Sequence, residues 1–134
     1  MNNTEIVKKA YECFGSGDID GLMELYSDDI SWEIPKIDNA AYSGARQGKE
    51  AVREFFDLLA KSETFTQFEP TEFISEGDKV VVLGKSEANI IPTGKTFSTE
   101  WVHVTTVADG KITGFKEFFD TAAANFAHQL HATA

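Results

Sequence analysis

The feature of this sequence that most constrains its fold is a single change of hydrophobic period near Thr64. Before it, apolar residues recur at helical spacing: Ile6, Ala10, Cys13 and Phe14, then Ile19, Leu22, Met23 and Tyr26, then Val52, Phe55, Phe56 and Leu59. Beyond it the period is two, over 64–75, 79–91, 95–107 and 111–119. The breaks Glu76-Gly77-Asp78, Pro92-Thr93-Gly94 and Asp109-Gly110 carry hairpin-turn chemistry. Helices followed by consecutive hairpins predict an α+β domain with an antiparallel meander. A long sheet of this kind twists and curls, and helices on its concave side leave a hollow at the far end. The expected fold is a cone-shaped curved antiparallel sheet wrapped around three N-terminal helices, with a pocket in the cone and a short C-terminal helix.

Caps and breakers set the boundaries. Asn2 or Asn3 caps a helix over 3–14 that stops at Gly15-Ser16-Gly17, and Asp18 caps a second that ends before Asp28-Asp29. A short strand over 30–34 is stopped by Pro35, and the stretch through Gly44 and Gly48 reads as loop. A third helix is expected over 49–61, and a final one over 121–131 with Asp120 as its cap.

Composition narrows the function classes. A chain of 134 residues, 42% hydrophobic, can bury one core, so 1–134 is read as a single domain. Cys13 is the one cysteine and cannot form an internal disulfide, and no basic stretch followed by an apolar run marks a secretory signal, so the cytoplasm is the expected location. A formal net charge of −10 repels polyphosphate backbones, which argues against nucleic acid and anionic membranes as partners. Eleven phenylalanines with Trp32 and Trp101 supply enough aromatic area to line a cavity as well as a core.

The order of elements, the Gly17-Asp18-Ile19 start of the second helix, the Tyr26-Ser27-Asp28-Asp29 segment and the Gly110-Lys111-Ile112 turn resemble the SnoaL-like, ketosteroid-isomerase-like superfamily. Locally, Pro92-Thr93-Gly94-Lys95, Gly110-Lys111-Ile112-Thr113-Gly114 and Phe118-Phe119-Asp120 resemble the limonene epoxide hydrolases. That resemblance implies a register with Thr99, Trp101 and His103 facing the pocket from one strand, and Phe115 and Glu117 from the next. It places the hydrolase's catalytic aspartate on Glu117 and, with one residue deleted, its arginine and second aspartate on Lys85 and Glu87. Trp32 takes the place of a pocket tyrosine. Compared with the ketosteroid isomerases, the catalytic base falls on Ile34, the oxyanion-hole tyrosine on Ala10, and the oxyanion-hole aspartate on or near His103. The superfamily resemblance also implies a homodimer through the open sheet face, which suits Val80-Val81-Val82-Leu83, apolar on both faces.

Each candidate residue has two readings. Glu117, between Phe115 and Phe119 on one strand face, is either a pocket carboxylate suited to acid/base work or a surface glutamate paired with Lys85 or Lys116. Lys85 and Glu87 share a face and form either a charge network with Glu117 or a solvated ladder. His103 is a satisfied core histidine or a proton donor and shuttle. Tyr11 and Phe14 read as core and cavity wall, and Asp120 as a helix cap. Asp38 could serve only if its loop folds back. His128 and His131 lack a third ligand at metal spacing.

The leading expectation is a cofactor-independent, metal-free acid/base enzyme of isomerase, cyclase or epoxide hydrolase type, acting on a small hydrophobic molecule that carries oxygen. Glu117 moves the proton or activates water, His103 and Lys85 stabilise charge on oxygen, and Trp32, Trp101, Phe115, Thr99 and Tyr11 hold the substrate. The alternative is a small-ligand-binding or dimerisation module with no chemistry.

Overall fold

The computed structural model describes residues 1–130. Helix α1 (Asn3–Gly15) starts from a capping box in which Asn2 Oδ1 accepts the Glu5 N–H at 2.8 Å and Glu5 Oε1 accepts the Asn2 N–H at 2.9 Å. Helix α2 (Ile19–Leu25) is capped by Asp18. It is shorter than its apolar pattern suggests: Tyr26 already has extended backbone and pairs with Ile112, opening strand β1 (Tyr26–Ile34). Strand β2 (Gly44–Gln47) pairs antiparallel with β1 where the sequence reads as loop, because four residues that begin at Gly44 and stop before Gly48, both at positive φ, carry too little alternation to register. Helix α3 (Lys49–Ser62) buries Val52, Phe55, Phe56 and Leu59, as the 3.6 period requires.

Strands β3 (Glu63–Glu76), β4 (Lys79–Ile90), β5 (Thr96–Ala108) and β6 (Lys111–Phe119) form the expected antiparallel meander. Strand β1 adds to the edge of the meander, parallel to β6, giving the order β2-β1-β6-β5-β4-β3 in one curved, unclosed sheet. Asp109 and Gly110 both take positive φ, as a two-residue hairpin matched to the sheet's twist requires. Helix α4 (Thr121–Ala127) is capped by Asp120, whose carboxylate accepts the Ala123 N–H at 3.0 Å. It ends before His131, which lies outside the described residues. No described helix is long and apolar enough to cross a membrane.

Two register details decide which side chains enter the cone. On β4 the buried positions are even-numbered, Val80, Val82, Gly84, Ser86, Ala88 and Ile90, whereas on β5 they are odd-numbered, Phe97, Trp101, His103, Thr105 and Val107. On β6 the step from Val107↔Ile112 to Thr106↔Gly114 leaves Thr113 as an extra residue. This bulge switches the inward set from Ile112 to Phe115, Glu117 and Phe119, directly opposite Thr105, His103 and Trp101.

Candidate active site

The concave face of the sheet, α1 and α3 enclose a cavity of about 110 Å³ walled mainly by aromatic rings. Three elements contribute a continuous hydrogen-bond chain to it. Tyr11 on α1 places its hydroxyl 2.7 Å from His103 Nδ1 on β5, and His103 Nε2 lies 2.7 Å from Glu117 Oε2 on β6. The imidazole is 4% exposed and held in plane: the Trp101 ring stacks on it at 4.0 Å and Phe115 packs at 4.6 Å. Trp32 stacks on Phe115, also at 4.0 Å. Trp101 can lie this close because Gly84 is beneath it; a Cβ there would occupy the space of the indole.

Burial pushes the Tyr11 phenol far above its usual range, and the charge of Glu117 adds to the shift, so the hydroxyl stays protonated. A carboxylate only accepts, so the His103 Nε2–H points at Glu117, while the Tyr11 hydroxyl meets Nδ1 on the other side of the ring. The chain therefore fixes Glu117 Oε2 as an acceptor. Oε1 has no hydrogen bond among the described residues, and the Glu117 side chain is 20% exposed. A carboxylate oriented through one oxygen and open at the other can take a proton from, or return it to, a molecule in the cavity. The cavity-lining hydroxyls of Ser86 and Thr105 likewise make no hydrogen bond among the described residues and can donate to a bound oxygen.

A second cluster faces the same cavity. The Tyr42 hydroxyl donates to Glu63 Oε2 at 2.5 Å, and His128 Nε2 lies 3.4 Å from that oxygen and 3.3 Å from the phenol. Burial raises the Tyr42 phenol strongly, followed by the charge and hydrogen bond of Glu63 and the charge of Glu117. Tyr42 is fixed by its neighbour Ser43, whose hydroxyl donates to the Ala40 carbonyl at 2.7 Å and accepts the Ile37 N–H at 3.0 Å. His128 is brought in by α4, which Thr93 and Lys95 tie to the sheet through the Ala127, Phe126 and Gln129 carbonyls.

Of the residues read from the sequence, Trp32, Thr99, Trp101, His103, Phe115, Glu117 and Tyr11 all line the cavity. Lys85 and Glu87 do not. They occupy odd positions on β4, whose even positions face inward, so the inferred one-residue deletion put them on the wrong face. Lys85 pairs with Glu69 at 3.8 Å with about half of each side chain in solvent, and Glu87 accepts from the Thr66 and Ser98 hydroxyls. Lys85 therefore cannot assist His103. Ala10 lines the cavity, but the phenol the isomerase comparison seeks there comes from the next residue, Tyr11. Asp120 is a cap, and Asp38 meets Asn125 through its backbone N–H. Tyr42, Glu63 and the burial of His128 were missed: a loop tyrosine, a glutamate at a helix–strand junction and a histidine near the C-terminus carry no periodic signal. Among the described residues no group of three or more His, Cys, Asp or Glu side chains is placed to hold a metal.

A model of the SnoaL-like domain matches residues 7–115. An NTF2-like protein from Burkholderia xenovorans LB400 is similar in structure with a TM-score of 0.86 and 30% identity, over 95% of this chain and 95% of that one. TerC, co-crystallised with polyporic acid, is similar at 0.84 and 30% identity, over 94% of this chain and 97% of that one. A candidate SnoaL-like polyketide cyclase from Mesorhizobium loti gives 0.74 and 25% identity, over 88% and 99%. No curated protein matches the chain.

Proposed function

Because the chain belongs to the SnoaL-like family, we propose that its cavity is the active site of an acid/base enzyme of isomerase or cyclase type, acting on a small hydrophobic molecule with a carbonyl or enol oxygen. The observation that carries this reading is the Tyr11–His103–Glu117 chain, which orients one carboxylate oxygen and leaves the other open to an aromatic cavity. In the proposed step Glu117 Oε1 takes a proton from the carbon next to a carbonyl, the electron pair moves to the oxygen, and the hydroxyls of Ser86 or Thr105 meet the developing charge. Return of the proton to another carbon completes an isomerisation; attack of the enolate carbon on a second carbonyl, with the proton passing to that new alkoxide, completes a cyclisation. His103 and Tyr11 act on Glu117, holding it and balancing its charge as the proton moves. The co-crystallisation of TerC with polyporic acid supports reading the cavity as a ligand site.

The test is a screen of small cyclic ketones and enols with wild type and Glu117→Gln. Turnover that falls by about 10²- to 10⁴-fold in the variant while ligand affinity is kept supports the enzyme. Equal behaviour of the two proteins would leave a binding module.

The outer sheet face supports a homodimer as a second part of the proposal. Cross-strand pairing aligns Ile74, Val81 and Val104 in one row, and Leu83, Val102 and Phe118 in the next, with Phe118 48% and Ile74 50% exposed. A twofold contact would cover both rows. Sedimentation at micromolar concentration checks it; a species of 14.8 kDa alone rules it out.

A further inference from the structure

The mechanism above leaves a buried carboxylate in the cavity wall unused. Glu63 is a carboxylate whose side chain is 4% exposed, in the lining of a mainly aromatic cavity. Placing a carboxylate there is costly unless its oxygens are paired. Both partners, Tyr42 Oη and His128 Nε2, meet the same oxygen, Oε2. The other, Oε1, has no hydrogen bond among the described residues. A network that served only to hold the fold would be expected to satisfy both oxygens.

The wiring differs from that of the first cluster, where Tyr11 reaches Glu117 only through His103; here Tyr42 donates directly to Glu63, with His128 beside both. The outcome is shared: one carboxylate oxygen is held and the second has no protein donor among the described residues. The two clusters lie within electrostatic reach of each other, since the charge of Glu117 helps to keep the Tyr42 phenol protonated. They also share a cavity of about 110 Å³, a size suited to a single ring; a lined cavity of about 150 Å³ admits benzene.

We propose that Glu63, positioned by Tyr42 and His128, is a second polar subsite that accepts a hydroxyl of the ligand. The cavity then takes a compact ring compound with two polar groups, one met by Glu117 and the other by Glu63. This rests on the reading of the cavity as a ligand site and specifies its substrate class: ring compounds bearing two hydroxyls, or a hydroxyl and a carbonyl, and not ring carboxylates, which two carboxylate-lined ends repel.

Calorimetric titration of the full chain with phenol, catechol, resorcinol, hydroquinone and benzoate tests this. At least one dihydroxybenzene should bind about tenfold more tightly than phenol, the worth of one further hydrogen bond to a charged acceptor, and benzoate should bind most weakly. Glu63→Gln should bring that dihydroxybenzene to within about threefold of phenol. Lys85→Ala, on the outer face of the sheet, should retain the preference and separates the loss of an acceptor from a general change in the protein. Dihydroxybenzenes that bind no better than phenol, or a Glu63→Gln change that weakens phenol equally, overturn the subsite and leave the Glu117 reading standing. Failure of every ring compound to bind overturns both.

Discussion

Raising the pH should unfold this protein through its tyrosines. The chain has three, Tyr11, Tyr26 and Tyr42, and the fold pushes each phenol far above the usual value near 10, with desolvation by burial the largest cause in every case. A group whose pKa is raised on folding contributes its full stability below the unfolded value and loses it as pH climbs beyond. Here the loss starts near pH 10, where the unfolded chain releases protons that the folded chain keeps. Each phenol costs about 1.4 kcal/mol per pH unit in that range, so three cost about 4 kcal/mol per unit. A domain stable by about 5 to 15 kcal/mol is then expected to unfold about one to four units above pH 10. Tyrosinate absorbance and far-ultraviolet circular dichroism, followed together, make the assay. All three phenols should ionise in one cooperative step that coincides with loss of secondary structure, and Tyr11→Phe should make that step shallower. A phenol that titrates near pH 10 while the dichroism is unchanged would refute the burial argument for that tyrosine.

Other expected outcomes follow from single contacts. Gly84→Ala should destabilise the fold by about 1 to 3 kcal/mol, because the new methyl displaces the Trp101 indole that stacks on His103; thermal unfolding measures it, with a change in tryptophan fluorescence as the local sign. Asp120→Ala should cost about 1 kcal/mol through loss of the α4 cap in the same assay. Lys85→Ala should change turnover by less than about twofold and stability by less than about 1 kcal/mol, since its ion pair with Glu69 is half in solvent. Phe118→Ser should shift the sedimenting species toward the monomer if the outer face is the contact.

The helices and the meander were legible because their hydrophobic periods are long and unbroken. Burial of Val52, Phe55, Phe56 and Leu59 follows directly from 3.6-residue spacing. The register of β4 was not legible, since residues 80–83 are apolar on both faces and alternation there does not choose a side. Val80 and Val82 fill the core while Val81 and Leu83 belong to the outer patch. The charged pair at Lys85 and Glu87 was the local clue to the outward face, and the imported register overrode it. Glu117 came out on the cavity side because the resemblance anchors flank its own strand closely and absorb the bulge at Thr113. The second cluster stayed invisible for another reason. Tyr42, Glu63 and His128 are distant in sequence and meet only when the loop after β1, the start of β3 and the end of α4 close over one end of the cone.

The proposed chemistry of Glu117 is proton exchange with carbon in the cavity. Nuclear magnetic resonance can follow deuterium entering the α-carbon of a small cyclic ketone in heavy water, with wild-type, Glu117→Gln and Lys85→Ala proteins compared. Catalysed exchange is expected of wild type and Lys85→Ala alike, with a loss of about 10²-fold or more in Glu117→Gln. Exchange by Glu117→Gln at the wild-type rate would contradict it.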